Sequence, residues 1–232
     1  MQVLRTLVIG VVAAALLGLV APGPSYAARS HGVATLQKRL NALHCDAGPA
    51  DGRWGDHTRS ALIRFQSRVG LRQTGKVGAR TRKRVYADDA PRCDVRRLPR
   101  GSGHGRRIVI SQHQNWVWLV GSKGQVVAQG GMVDNTDVLK RGAYGVGSYC
   151  GRPTRVKLNQ SGAVWMDDFV RFAPCGVGFH RIPRYKSTGK QMHADWLLGT
   201  DLARSHGCIR LSKRLSKRIW DFTTRPTPVR VV

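Results

Sequence analysis

Ser205-His206-Gly207-Cys208-Ile209-Arg210 gathers a hydroxyl, an imidazole, a thiol and a guanidinium in one short run. A thiol attacks only as its thiolate, and a neighbouring imidazole or oriented backbone N–H groups favour that form. Gly207 lets the chain turn tightly and aim N–H groups at a carbonyl oxygen. The chemistry this suggests is attack of Cys208 on a carbonyl carbon. His180 ends the apolar run Val177–His180, whereas His193 sits in a longer polar stretch. His44, His57, His104 and His113 read as surface or structural residues. His180, His193, His206 and Cys208 are also, in principle, zinc ligands. The histidine-glutamate spacings of zinc peptidases are missing, and the chain has no Glu to serve as their base, so the reading assigns no metal and no cofactor.

The termini and cysteines speak to compartment. Arg5 precedes an uncharged apolar run, Leu7 to Val20; Pro22-Gly23-Pro24 breaks it, and Ser25-Tyr26-Ala27 offers small residues at the positions a signal peptidase reads. Residues 1–27 are therefore expected to be a signal peptide and the protein secreted, to the periplasm or wall. The run is shorter than the ~20 residues of a spanning helix, so no stable membrane span is expected after cleavage. Export implies an oxidising compartment, where cysteines pair. There are five of them, so one is left over. Cys208 has the reactive setting and is left free. The simplest pairing of the rest, within domains, is Cys45–Cys93 and Cys150–Cys175, although four cysteines allow three pairings.

The charge is extreme, with 39 Lys and Arg against 13 acids, all of them Asp, and a formal net charge of +26. On an exported chain this favours an anionic cell-surface or wall polymer over nucleic acid as partner. The basic residues are dispersed, which also fits a merely solvated surface.

These residues need elements to hold them. Residues 31–90 read as a small helical unit: Val33, Leu36, Leu40 and Leu43 fall at helical spacing, and Asp56 or Thr58 can cap a second helix carrying Ala61, Leu62 and Phe65. Gly52-x-x-Gly55-x-x-Thr58 recurs as Gly75-x-x-Gly78-x-x-Thr81, each leading into a helix, which predicts a three-helix module. Residues 91–105 belong to a Pro-, Arg- and Gly-rich linker that opens at Asp88. From residue 106 to 232 the period changes. Ile108–Ile110, Trp116–Val120, Gln125–Val127, Tyr144–Tyr149, Ala163–Met166, Phe169–Phe172, Val177–His180 and Val229–Val232 read as short strands, and Leu211–Phe222 as a helix. The expected fold class is α+β in two domains: a three-helix module, then a mostly β domain of sandwich or barrel type.

Both halves carry resemblances. Leu36-Gln37-x-x-Leu40-Asn41, Asp51-Gly52-x-x-Gly55-x-x-Thr58-x-x-Ala61-Leu62, Phe65-Gln66, Gly70-Leu71 and Thr74-Gly75 resemble the peptidoglycan-binding domain 1 family over nearly the whole module. This implies a non-catalytic wall-binding domain; a folding aid or spacer is the plainer reading. Gly142-x-Tyr144-x-Val146, Gly178-Phe179-His180-x-Ile182-Pro183 and Ser205-His206-Gly207-Cys208-Ile209-Arg210-Leu211-Ser212 resemble the L,D-transpeptidase catalytic domain, the YkuD family, over about residues 106–232.

The second resemblance implies peptidoglycan stem peptides as substrate and Cys208 as nucleophile. It implies His180 as general base, with the Arg181 carbonyl orienting its ring. The N–H groups of the His206-Gly207-Cys208 segment form an oxyanion hole, while Ser205 and Arg210 shape the site and meet substrate carboxylates. The gap from His180 to Cys208 is longer than in the commoner family signature. The excess, Tyr185 to Arg204, reads as a flap over the cleft and makes His193 a rival base. A hydrolase releasing the terminal residue to water, and a purely structural wall-binding protein, are the other readings.

Overall fold

The computed structural model describes residues 25–232; the expected leader through Pro24 lies outside them, as do the side chains of residues 25–31 and of Cys175. Among the described residues no helix is long and apolar enough to cross a membrane. Three helices come first: α1 (Ser25–Ala42), α2 (Asp56–Arg68) and α3 (Ala79–Val85). Leu36, Leu40, Leu43, Ala61, Leu62, Phe65 and Val85 close a common core around the Cys45–Cys93 disulfide.

The sequence echo has a structural counterpart. Gln37 on α1 accepts from the Gly52 N–H and donates to the Arg53 carbonyl and the Thr58 hydroxyl. Gln66 on α2 does the same one loop later, with the Gly75 N–H, the Lys76 carbonyl and the Thr81 hydroxyl. Each buried amide thus satisfies the backbone of the turn feeding the next helix, where an unpaired group would cost about 1–3 kcal/mol. This corrects the expected cap. Gly55, not Asp56 or Thr58, is the N-cap of α2 and, being glycine, offers no side-chain bond, while the Thr58 hydroxyl accepts from Gln37 instead.

The remainder is a mixed sheet: β1 (Arg107–Ser111), β2 (Trp116–Val120), β3 (Val126–Val133), β4 (Gly142–Gly145), β5 (Arg155–Ser161), β6 (Val164–Arg171), β7 (Gly178–Arg181), β8 (Arg184–Tyr185), β9 (Ile209–Leu211) and β10 (Pro228–Val231). The strand order is β4-β10-β1-β2-β3-β9-β7-β6-β5, with β8 on β6. β1 and β2 are buried at every residue, which explains their unbroken apolar runs. One face packs with α4 (Lys213–Phe222) through Leu215 and Ile219. The Ser212 hydroxyl caps that helix by accepting from the Leu215 N–H. The other face of β1 and β2, with Val109, Trp116, Trp118 and Val120, packs on Leu98.

β7 and β9 are parallel neighbours, with Phe179 opposite Ile209 and His180 opposite Arg210. Parallel neighbours need a crossover of a dozen or more residues. Residues 182–208 supply it, and that is why the stretch between His180 and Cys208 is long. It is anchored rather than loose. Arg184 on β8 makes a two-bond pair with Asp167 on β6, and the Gly199 N–H donates to the Met132 carbonyl on β3.

The residues expected as a linker are also fixed. Arg96 is 2 % exposed. Its guanidinium donates to Cys93 O, Ser67 Oγ, Gln114 O and Arg64 O and lies over the Trp116 ring. Arg64 on α2 reaches from the helical module into the crossover. It donates to the carbonyls of Cys45 and Asp46 on its own side and of Trp196 and Leu198 on the other. His57 stacks on Trp196 with ring centroids 5.3 Å apart. Two buried arginines therefore clamp the helices to the sheet domain.

Candidate functional site

Cys208 is the free cysteine among the described residues. It sits just before β9, in a cleft of about 1010 Å³ whose wall includes His180, Ser205, His206, Gly207 and Arg210. The thiol donates to the Gly176 carbonyl at 3.4 Å. Burial pushes its pKa up, opposed by the Gly178 backbone and by the guanidinium groups of Arg171 and Arg210. A resting thiol in this setting needs a base to become a nucleophile.

His180, at 2 % exposure, is the penultimate residue of β7 and faces the same cleft. Its Nδ1 pairs with the Arg181 carbonyl, which requires Nδ1 to carry the proton and leaves Nε2 as the acceptor. Burial lowers its pKa to about 4, the Arg181 carbonyl opposing and Arg210 assisting. The ring is therefore neutral, and able to take a proton, at ordinary pH. His193 does not line the cleft. Its Nδ1 pairs with the Ala194 carbonyl, and its buried Nε2 has no hydrogen-bond partner.

The turn before Cys208 is held from several sides. The Ser205 N–H donates to the Asp134 carbonyl, and Asn135 donates to the Ser205 carbonyl. The Ser205 hydroxyl accepts from the Gly207 N–H at 2.9 Å. The Gly207 N–H is thereby committed within the turn, while the Ser205 hydroxyl, which accepts there, lines the cleft and keeps its own proton to donate. Gly207 has φ +131°, and a Cβ there would stand 2.7 Å from Val138 Cγ1, so the position requires glycine.

Arg181 contributes more than its carbonyl. Its side chain donates to Gln191 and lies 3.6 Å from Asp167, tying the crossover to β6. Tyr185 and Met192, both from the crossover, line the cleft as an overlying flap would. Arg152 and Arg171 also line it and were not anticipated. Arg171 had a signal: it is the one charge in the otherwise apolar run Phe169–Phe172. Arg152 had none, because its loop approaches the cleft only through tertiary packing. Cys45 and Cys93 form a disulfide, with Cα atoms 5.0 Å apart. Cys150 is disulfide-bonded too, while its expected partner, Cys175, has a side chain outside the described set. Among the described residues no group of three or more His, Cys, Asp or Glu is placed to hold a metal ion.

A three-helix module clamped to a mixed sheet, with a thiol and a neutral imidazole facing one cleft, defines the class of protein. Residues 80–231 match the family model of the L,D-transpeptidase catalytic domain, YkuD, and the chain belongs to that family. Residues 29–85 match the PG_binding_1 model, a peptidoglycan binding domain. The chain is 30% identical over 143 residues to the N-acetylmuramoyl-L-alanine amidase CwlM of Mycobacterium tuberculosis, a match covering 53% of this chain and 34% of that protein. It thus spans about a third of that relative's length. Among solved structures it is similar to the L,D-transpeptidase (residues 123-326) of Xylanimonas cellulosilytica, with 23% identity, TM-score 0.48, and 87% of this chain and 93% of that chain covered. The L,D-transpeptidase of Stackebrandtia nassauensis gives 20% identity and TM-score 0.42, covering 86% and 89%.

Proposed function

We propose that this protein is an exported, cysteine-dependent L,D-transpeptidase that acts on peptidoglycan stem peptides through a thioester. The observation that carries the reading is the pairing of Cys208 with a neutral, acceptor-ready His180 in one cleft of an L,D-transpeptidase catalytic domain. His180 Nε2 takes the thiol proton as Sγ attacks the carbonyl joining the L-centre of a diamino acid to the terminal D-residue. The Sγ–C bond forms and the C–N bond breaks. The amine leaves with its bonding electrons and takes the proton from the imidazolium. An acceptor amine then attacks the thioester and releases the thiolate, which regains a proton. Negative charge on the carbonyl oxygen is met by backbone N–H groups of the segment ending at Cys208, and Arg210 receives a carboxylate of the stem. Peptidoglycan is the partner of the helical module, and the +26 charge favours anionic wall polymers nearby. The site and the expected leader support a secreted enzyme working in the wall or periplasm.

Mass spectrometry of mature protein incubated with purified muropeptides tests this. The expected result is loss of the terminal D-residue with a thioester at Cys208, resolved by amine acceptors into cross-linked product. Release to water alone, with acceptor present, makes the protein a carboxypeptidase on the same site. No acyl-enzyme on any muropeptide sinks the reading.

A further inference from the structure

The cleft wall carries three guanidinium groups, from Arg152, Arg171 and Arg210, and, among the described residues, no Asp. Arg171 is 3 % exposed, and its Nη1 is buried without a hydrogen-bond partner. Its Nε donates to the Pro153 carbonyl, which fixes the group in place. Arg152 is exposed and comes from the loop between β4 and β5. A Cβ built on Gly176 would lie 3.8 Å from Arg152 Nη1 and 3.9 Å from Arg171 Nη1, so both cations converge on that glycine. The Gly176 carbonyl is the acceptor of the Cys208 thiol. Two like charges beside a nucleophile, one of them buried and short of a partner, are unfavourable until an anion arrives. Burial and Arg152 both lower the pKa of Arg171.

We propose that Arg152 and Arg171 form a carboxylate subsite that receives the free α-carboxylate of the leaving residue. This deepens the acyl-transfer reading and rests on it. Consecutive residues of a peptide stand ~3.8 Å apart. With the attacked carbonyl at Sγ, itself 3.4 Å from the Gly176 carbonyl, the carboxylate of a single leaving residue can reach the two groups that converge on Gly176. A guanidinium binds a carboxylate through two parallel N–H bonds, which Lys or Gln does not reproduce. A donor extended by another residue, or capped as an amide, puts a neutral group there and leaves Arg171 Nη1 unpaired. The two arginines thus make the enzyme select donors with one residue beyond the scissile bond.

The test measures kcat/KM for thioester formation by intact mass. The donors are one stem peptide made as the C-terminal acid, as the C-terminal amide, and as the acid with its internal carboxylates amidated. Wild type is expected to prefer the acid to the amide by at least about ten-fold, and any slowing by internal amidation, which the Arg210 contact predicts, is expected to persist undiminished in the Arg152 and Arg171 variants. In Arg152→Gln and Arg171→Gln the acid-to-amide ratio is expected to fall towards one. The ratio within each variant cancels any change in thiol reactivity, which a merely structural role would alter equally for both donors. Arg152 is exposed, so its variant folds even where the Arg171 variant does not. A wild type indifferent to C-terminal amidation, or an Arg152→Gln variant with undiminished discrimination, overturns the subsite. Loss of the internal-amidation effect in the Arg152→Gln or Arg171→Gln variant instead assigns the arginines to an internal carboxylate and overturns it too. Failure of every donor to acylate wild type overturns the transpeptidase reading itself, and the subsite with it.

Discussion

In the proposed reaction, His180 and Cys208 divide the chemistry through opposite effects of burial. Desolvation disfavours the charged form of each: it keeps the imidazole neutral and the thiol protonated. Charge then develops only when proton transfer and attack occur together. Cys208→Ala is expected to abolish acylation, at least about a thousand-fold, with an unchanged circular dichroism spectrum. His180→Ala is expected to slow acylation about 10²–10⁴-fold, as loss of a general base does. His193→Ala is expected to have much less effect, because its ring does not line the cleft. Intact-mass kinetics with a carbapenem compares the two, and a larger loss at His193 would move the base into the crossover. The same burial sets a pH dependence of stability. His180 has a folded pKa of about 4 against an ordinary 6.5, so the unfolded chain binds the proton first on acidification. This contribution is therefore complete above 6.5 and is lost as pH falls towards 4. In His180→Phe that part of the acid limb of a Tm-against-pH curve is expected to flatten.

At the scale of elements, the crossover between β7 and β9 and the turn that ends it decide where the thiol points. Gly207→Ala puts a methyl against Val138 and an L-residue at φ +131°. Acylation is expected to collapse, and the added substitution Val138→Ala to restore only part of it, since it relieves the contact and not the dihedral. Full recovery would mean the backbone conformation is not required. Arg64 holds the far end of the crossover through the Trp196 and Leu198 carbonyls. Arg64→Met leaves carbonyls of both partners unpaired, and a loss of roughly 2–4 kcal/mol is expected in urea unfolding.

The crossover also shows where the sequence stopped being legible. The three helices and the strands at β1, β2, β7 and β10 announce themselves by period and turn residues. The runs at 163–166 and 169–172 proved to be one strand, β6, because Asp167 and Asp168 interrupt the apolar pattern while staying paired with Arg184 and Lys157. β5, Arg-Val-Lys-Leu-Asn-Gln-Ser, passed unnoticed because its half-exposed polar residues carry no core signal. Strand β9 was hidden inside the motif and the start of the predicted helix, which begins instead at Lys213 after the Ser212 cap. Within the site, the motif marked Cys208 and the ends of strands marked His180. Neither pattern nor spacing can report that a loop brings Arg152 beside Gly176, or that Ser205 takes the Gly207 N–H.

For the molecule as a whole, the proposed wall binding divides into contributions of charge and of shape that can be separated. Sedimentation of the full mature chain with insoluble peptidoglycan is expected to weaken steeply with salt, because screening removes the contribution of the +26 charge. A residue of binding that survives high salt is the share owed to the helical module reading glycan by shape. Its complete disappearance would reduce the module to a basic spacer.

The clamp of Arg64 and Arg96 gives the assembled molecule a fixed reach. A catalytic domain on a slack tether would search a volume set by the tether and serve any stem within it, at an effective concentration diluted over that whole volume. Here Arg96 is buried where slack would have been, and Cys208, the proposed nucleophile, stands at one constant offset from the helical module proposed to hold the wall. Wherever the helical module is held, only stems at that offset meet the thiol. The spacing of new cross-links along a glycan strand would then be ruled off by the protein itself, as by a pair of locked dividers.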